Sequence, residues 1–230
     1  PRALPGLVLW LDASYITGLN DGDSVVTWSD LSGNGNHATQ GTPAARPVYK
    51  VSIINGRPVV RFDGTDDFLA NTSFPDFNDA YTVFATMAYA TSGDTNQVIV
   101  EISTGIASNT GFLLIFDAFP KWTGVQAGGD LISVYAPDYR DDIFRIHIGD
   151  NSSTLLTYYI NGASVGNPAA YTAPNSNTLT RVDISRLVQF GGFQLKGDIA
   201  AVGIYNNQLS VTSRQRLERY LSTRYGIALP

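Results

Sequence analysis

The sequence contains no cysteine among its 230 residues. Without cysteine the chain forms no disulfide bond and offers no thiolate ligand for a structural metal site. Histidine and glutamate are also scarce, with two residues of each type. Because acid and base catalysis depends on positioned histidine, glutamate or aspartate side chains, this scarcity restricts the catalytic groups that the chain can offer.

Charged residues are few as well, at 15% of the chain with a formal net charge of −5. The 15 lysines and arginines are scattered, so no basic stripe is available to neutralise a phosphate backbone, and we expect no nucleic-acid partner. No apolar run reaches about 18 residues, so we expect no membrane insertion. The first five residues lack the charged-then-apolar order of a signal peptide, which leaves open whether a leader was removed.

Hydrophobic residues are abundant, at 43%, and aromatic residues reach 11%. They occur in short runs bounded by Gly, Pro, Asn, Asp or Ser, which is the pattern of strands joined by turns. With no internal repeat or low-complexity tract, we expect residues 1–230 to form a single all-β domain. The runs predict strands at 7–11, 25–28, 58–62, 81–89, 97–102, 112–116, 131–135, 143–148, 155–160 and 199–205.

Two of these segments carry finer predictions. Asn161 and Gly162 follow a strand-like run and form the dipeptide that favours a tight hairpin, because both residues tolerate a positive φ. In residues 143–148 apolar and polar side chains alternate. This alternation predicts that Arg145 and His147 share the wetter face of their strand, opposite three apolar side chains.

The end of the chain has a helical period. A stripe of apolar side chains recurs at helical spacing in Leu217, Tyr220, Leu221 and Tyr225. Thr212 and Gln215 match a capping box, and Gly226 matches the residue just past a helix end. We therefore predict one C-terminal α-helix that packs on the sandwich through this stripe.

Several blocks of sequence occur in an order that points to a known family. They are residues 7–13 (LVLWLDA), 26–38, 46–47, 55–69 and a tail from Phe193 to Gly226. Together they resemble the laminin-G-like jelly-roll domains of bacterial and phage surface proteins. The resemblance implies a two-sheet antiparallel sandwich of the concanavalin A-like type, located outside the cell, on the cell surface or on a virion surface. It implies no single activity, because one fold hosts many functions.

Catalysis is not predicted. Glycosidases on concanavalin-like folds resemble one another in a strand with two Glu and an Asp between them, since hydrolysis needs an acid and a nucleophile. Here Glu101 has no acidic neighbour two or four residues away, and Glu218 lies in the predicted helix. No Gly-x-Ser-x-Gly elbow is present either. We therefore expect that the chain is not an enzyme.

Two acidic loops are candidates for a calcium site. One loop contains Asp21 and Asp23, and the other contains Asp63, Asp66 and Asp67. Calcium takes six to eight oxygen ligands, and flexible loops with Asp, Asn and Gly supply them. The alternative is that these residue types are simply those of which turns are made.

Aromatic side chains suggest a surface for ligands. Trp122, in a predicted loop, is the first candidate for an exposed platform, with Tyr135 and Tyr139 as second choices, although a loop aromatic can also cover the core. Arg145 and His147 complete the predicted ligand-binding set. The leading prediction is a surface recognition or adhesion domain that binds glycans. The alternatives are a structural protein of a phage particle or filament, with capsid, tail or filament partners, and an accessory domain of a carbohydrate-active enzyme.

Overall fold

The computed structural model describes residues 1–75, 80–92, 96–103, 110–118, 121–126, 140–152, 155–166, 169–170, 180–188 and 193–230. Within them strands are the dominant elements, and one α-helix lies near the end of the chain. The strands, in chain order, are β1 (Leu7–Asp12), β2 (Thr27–Trp28), β3 (Ala38–Thr39), β4 (Val48–Ile54), β5 (Arg57–Asp63), β6 (Leu69–Asn71), β7 (Ala80–Tyr89), β8 (Asn96–Ser103), β9 (Thr110–Ala118), β10 (Lys121–Gln126), β11 (Arg145–Ser152), β12 (Leu155–Ile160), β13 (Ala163–Ser164), β14 (Ala169–Ala170), β15 (Arg181–Ile184) and β16 (Lys196–Tyr205).

These strands form two sheets whose paired strands are antiparallel. A nine-stranded sheet has the order β13-β12-β11-β7-β16-β5-β4, with β1 paired to β16 and β14 paired to β12. A seven-stranded sheet has the order β10-β9-β8-β15-β6-β3-β2. Consecutive strands are often distant in the sheet, so the chain crosses repeatedly between the two sheets, as in a jelly roll.

The nine-stranded sheet is covered on both faces. Its inner face packs on the seven-stranded sheet around buried aromatic residues that include Trp28, Phe62, Tyr81, Tyr89 and Tyr158. Its outer face supports a second apolar cluster with side chains of the C-terminal helix, which include Leu217, Leu221 and Tyr225. The predicted all-β, two-sheet antiparallel sandwich with one terminal helix is therefore confirmed.

The helix α1 spans Val211–Tyr225. Its N-terminal cap is Ser210, whose side chain accepts a hydrogen bond from the backbone N–H of Ser213, so the predicted capping box at Thr212 is wrong. The helix begins one residue before Thr212, and the serine in front of it satisfies the free N–H group. At the other end Gly226 takes the predicted left-handed conformation, with φ 68°. No helix in the described ranges is both long and apolar enough to cross a membrane.

Turn and strand predictions have mixed outcomes. Asn161 and Gly162 have positive φ and join β12 to β13, so the hairpin is confirmed. The strands β4, β10 and β15 were not predicted, because polar residues interrupt their apolar pattern, and neither were the two- and three-residue strands β3, β6, β13 and β14. The predicted strand at 131–135 lies outside the described residues.

Candidate functional site

An open cleft of about 760 Å³ lies at one end of the outer face of the nine-stranded sheet. Its volume is within the range of ligand sites in proteins, which is roughly 300–1,000 Å³. The lining combines apolar, aromatic and charged side chains of β4, β5, β7 and β16 with the segments that adjoin them: Ala44, Arg46, Val48, Ile53, Arg61, Phe62, Asp63, Asp67, Ala88, Ala90, Asp142, Phe144, Lys196, Gly197 and Asp198.

An ion pair between two central strands contributes to the cleft wall. Arg61 on β5 stands directly opposite Asp198 on β16. The guanidinium donates two hydrogen bonds to the carboxylate, from Nε to Oδ1 and from Nη2 to Oδ2, both 2.7 Å long. Hydrogen bonding to Asp198 raises the pKa of Arg61. This two-pronged contact fixes both side chains and presents donors and acceptors at a defined place.

Small residues lie next to this ion pair and line the cleft with it. Ala88 on β7 is paired with Asp198, and a Cβ atom added to Gly197 would lie 2.3 Å from the carbonyl oxygen of Ala88. Phe144 adds a half-buried aromatic side chain. Lys196 also lines the cleft, and no described carboxylate forms an ion pair with its ammonium group.

The acidic loop that follows β5 forms part of the same lining. One carboxylate oxygen from each of Asp63, Asp66 and Asp67 lies within 4.8 Å of the others. Asp63 Oδ1 accepts a hydrogen bond from the Thr65 N–H at 2.7 Å, and Asp67 Oδ2 accepts one from the Asp63 N–H at 3.0 Å. These contacts fold the loop so that the three side chains converge, with Asp63 and Asp67 on the cleft.

Asp67 is far more buried than the other two acids, and its burial affects its pKa. Asp67 is only 6% exposed, and burial, followed by the charge of Asp63, raises the pKa of Asp67 to about 6. Asp63 and Asp66 are exposed. The triad can therefore hold a proton on Asp67 in mildly acidic solution, or offer three oxygen ligands to a cation when all three are ionised.

The other acidic loop does not join this group. Asp21 forms an ion pair with Lys50 and accepts a hydrogen bond from the Val51 N–H at 3.0 Å. Asp23 accepts hydrogen bonds from the backbone and side chain of Asn20. Within the described ranges the only cluster of three potential metal ligands is that of Asp63, Asp66 and Asp67. For Asp21 and Asp23 the structure thus shows contacts with their own loop and with β4.

The structure places Trp122, the predicted aromatic platform, in a strand. Trp122 lies in strand β10, where it is paired with Asp117 of β9, so the expectation of a loop at this residue is wrong. An edge strand, rather than a turn, forms because residues 121–126 extend the hairpin with β9. Tyr135 and Tyr139 lie outside the described residues.

The prediction that His147 lies on a wet face of β11 is wrong. His147 is 1% exposed and contacts the hydroxyl of Tyr158 and the ring of Tyr89 between the sheets. Burial lowers its pKa to about 3, so the ring stays neutral. Arg145 forms hydrogen bonds of 2.8 and 2.6 Å with Asp141. The alternation was right, but both faces of this strand are covered, because helix α1 and its cluster close the side that carries Ile146 and Ile148.

Sequence reasoning missed an acidic neighbour of Glu101. Asp183 on β15 stands directly opposite Glu101 on β8, and Arg181 and Arg186 both form ion pairs with Asp183. Burial raises the pKa of Glu101 to about 7. A strand's own sequence shows only the neighbours along that strand, whereas Asp183 comes from another strand. Both carboxylates are buried, so their contacts are those of an internal ion-pair network.

Comparison with known proteins gives structural but no sequence matches. No protein-family model matches the chain, and no curated protein matches it in sequence. A sialidase of Trypanosoma rangeli is similar over 96% of this chain and 33% of its own, with 14% identity and a TM-score of 0.65. A GH54 α-L-arabinofuranosidase is similar over 88% of this chain and 51% of its own, with 12% identity and a TM-score of 0.63.

These matches bear on the sequence-based predictions in two ways. At such identities they show the fold, and this chain spans about a third of the sialidase and half of the arabinofuranosidase. The prediction that the chain is not an enzyme is contradicted by these matches, because the fold occurs as a part of glycosidases. The concanavalin-like sandwich is supported, whereas the laminin-G-like family and the phage or filament role remain predictions.

Proposed function

We propose that the chain is a carbohydrate-binding domain that holds a sugar in the cleft lined by Arg61 and Asp198. The observation that carries this proposal is the cleft of about 760 Å³, in which the paired guanidinium and carboxylate lie beside small residues and an aromatic ring. A sugar ring needs hydrogen-bond donors and acceptors at its hydroxyl groups and an apolar surface at its C–H face. Arg61, Asp198 and Lys196 supply the former, and Phe144 supplies the latter.

The charges of the cleft favour a neutral sugar. Four acidic residues, Asp63, Asp67, Asp142 and Asp198, line it against the three basic residues Arg46, Arg61 and Lys196. Arg61 is already paired with Asp198, so an anionic sugar would meet a cleft with a surplus of negative charge. Like charges in a partly buried site are unfavourable. We therefore propose a neutral pentose or hexose rather than a sialic or uronic acid.

The structural neighbours support a role in carbohydrate metabolism. Their names describe a sialidase and an α-L-arabinofuranosidase, and the chain covers only part of each. We propose that it acts as a carbohydrate-binding domain of a carbohydrate-active protein, working outside the cell or on a surface, where polysaccharides occur. A polysaccharide partner is consistent with the acidic net charge of −5, since neutral glycans impose no charge requirement.

Affinity gel electrophoresis with arabinan, arabinoxylan and galactan tests this proposal, with a sialylated mucin as the anionic comparison. We expect retardation in at least one neutral polysaccharide and less in the mucin. Asp198→Ala should weaken the retention at least about fivefold, because a well-placed polar anchor supplies a large share of a small interface's energy. Its cost in stability should be about 1–3 kcal/mol, because the substitution removes two charge-assisted hydrogen bonds of a buried carboxylate, whereas the Arg61 side chain stays 44% exposed and can be hydrated.

The matched control is Asp21→Ala, which removes another aspartate paired with a basic side chain. Asp21 does not line the cleft, so this variant should keep full retention. If Asp198→Ala binds as well as the unchanged protein, or if no glycan in the panel is retained, the cleft is not a sugar site.

A further inference from the structure

Ser185 joins two segments that form one side of the cleft. It comes directly after β15 of the seven-stranded sheet, and it is completely buried. Its hydroxyl group donates a hydrogen bond to the carbonyl oxygen of Asp67 at 3.0 Å and accepts one from the N–H of Leu195 at 2.9 Å. Asp67 lines the cleft, and Leu195 directly precedes Lys196, which lines it too. One side chain of one sheet thus connects the segment after β5 to the segment before β16 in the other.

This connection lies where the backbone ladder between β5 and β16 ends. Lys196, the first residue of β16, stands opposite Asp63, the last residue of β5. The chain then turns at Gly64, where φ is 80° and an added Cβ atom would lie 2.7 Å from the Cβ of Lys196. The loop after β5 therefore packs on the stem of Lys196. Further along, the Ser185 hydroxyl group takes over from the ladder in holding this loop.

The backbone of Ser185 has an unfavourable conformation. Its φ is 68°, in the left-handed region that residues other than glycine, asparagine and aspartate seldom adopt. Strain of this kind persists only where the surrounding structure imposes it, and it concentrates at functional sites. The Ser185 N–H donates a 3.0 Å hydrogen bond to the carbonyl oxygen of Ile99 on β8. A glycine would fit this backbone better, but it has no hydroxyl group.

The next residue holds the same loop. The Arg186 guanidinium lies 3.5 Å from the ring centroid of Phe68, which follows Asp67. Asp183 fixes this guanidinium through a hydrogen bond of 2.5 Å from Nη2 to Oδ1. A guanidinium over an aromatic ring is attracted by it. Ser185 and Arg186 therefore contact two consecutive residues of the loop after β5, and both contacts favour one position of that loop.

We propose that Ser185 is a positioning residue of the sugar site, whose hydroxyl group fixes the loop of Asp63 and Asp67 relative to Lys196. Ser185 does not line the cleft, so it acts through these neighbours and not by contact with the sugar. A loop that is already held in its binding position loses less freedom when a ligand binds, which raises affinity. The inference rests on the proposed carbohydrate-binding function.

The first test removes the Ser185 hydroxyl group in two ways. Ser185→Ala and Ser185→Gly both lack it, but only glycine adopts the positive φ without strain, so Ser185→Gly should have the higher melting temperature. On the polysaccharide that retains the unchanged protein most strongly, both variants should lose retention at least about fivefold. Equal losses at unequal melting temperatures indicate a positioning role, because a merely structural role would lower the melting temperature without changing the retention of the folded protein.

Ser185→Thr is the conservative variant, and Ser222→Ala is the matched control. Threonine keeps the hydroxyl group, so retention should stay within about twofold, even though a β-branched side chain at positive φ lowers the melting temperature. Ser222 also donates a side-chain hydrogen bond to a backbone carbonyl, that of Ile227 at 2.6 Å, but it lies on α1 and does not line the cleft. Ser222→Ala should therefore lose stability and keep full retention.

Hydrogen exchange measures the position of the loop directly. The N–H of Leu195 and the amides of residues 64–68 should exchange faster in Ser185→Gly, because the hydroxyl group no longer holds them. Unchanged exchange at these amides would overturn the role of Ser185. So would retention that falls in Asp198→Ala and stays unchanged in Ser185→Gly, a result that leaves the cleft in place as a sugar site. Absence of any retained glycan, or full retention of Asp198→Ala, overturns both the sugar site and the role of Ser185 in it.

Discussion

The two ends of the outer face of the nine-stranded sheet differ sharply, although the same strands run through both. On β5, Val59 is packed into the helix-side cluster, whereas Arg61, two residues further along the same face, lines the cleft. On β7, Phe84 is in the cluster and Ala88 is in the cleft. Large apolar side chains thus give way to a charged residue after two positions on β5 and to a small residue after four positions on β7.

The difference follows from the length of helix α1. Its 15 residues span about 22 Å at 1.5 Å per residue, which covers only part of the sheet. Where the helix lies, side chains are selected to fill space and exclude water. Beyond it the same face is open, and side chains can be selected for polar contacts. Stability and binding should therefore depend on different ends of the same strands.

The largest expected effect is at the covered end. Leu221→Ala should lower the free energy of unfolding by about 2–5 kcal/mol, because the fully buried side chain leaves a cavity between helix and sheet. Val211→Ala, on the exposed side of the same helix, should change it by less than about 0.5 kcal/mol. Urea denaturation of both variants measures the difference.

The opposite result would contradict this difference between the two ends of the sheet. A cost below about 0.5 kcal/mol for Leu221→Ala would mean that the helix is dispensable, since a buried leucine ordinarily costs several times more. Glycan retention of the Leu221→Ala protein, measured where it remains folded, should stay unchanged, because the residue does not line the cleft.

The covered end could be predicted from the sequence far better than the open end. The stripe of Leu217, Leu221 and Tyr225 and the terminal Gly226 are local signals, and each is where a helical period places it. Alternation in β11 was also correct. It failed for His147 because one strand's pattern does not say that both of its faces are covered, the His147 face by the second sheet and the opposite face by helix α1.

The open end depends on residues that are far apart in the chain. Arg61 and Asp198 are separated by 137 positions, and neither stands in a pattern that marks it as functional. Glu101 and Asp183 meet in the same way across two strands. Only the Asp63, Asp66 and Asp67 loop could be recognised in advance, because its three acids are close in sequence.

The next effect concerns the pH dependence of the open end. The pKa of Asp67 is raised to about 6 in the folded state, so the folded protein keeps a proton that the unfolded chain has released. Stability from this group is therefore present near pH 4 and declines as pH rises to about 6. Asp67→Asn should remove this decline, and the variant should gain stability relative to the unchanged protein between pH 4 and 7.

Asp21→Asn is the control with the opposite sign. Lys50 lowers the pKa of Asp21, so the contribution of this aspartate is present at neutral pH and lost as the solution becomes acidic. Urea denaturation at pH 4, 5, 6 and 7 compares the three proteins. Parallel curves for the unchanged protein and Asp67→Asn would show that Asp67 titrates as it does in the unfolded chain.

The smallest expected effect is that of calcium at the rim of the cleft. Calcium at Asp63, Asp66 and Asp67 remains a prediction from the sequence, now with the three carboxylates within 4.8 Å of one another. A ligand that binds only the folded state raises the melting temperature, so saturating calcium should raise Tm by a few degrees at pH 7. The increase should shrink below pH 6, because Asp67 then keeps its proton and offers one ligand fewer.

Two variants test which residues bind the calcium. Asp66→Asn removes an exposed ligand and should reduce the shift in Tm. Asp142→Asn changes another exposed aspartate of the cleft and should preserve the shift. Equal shifts in both variants, or an unchanged melting curve at saturating calcium, would rule out this loop as the calcium site and leave the three acids as a turn that closes one side of the cleft.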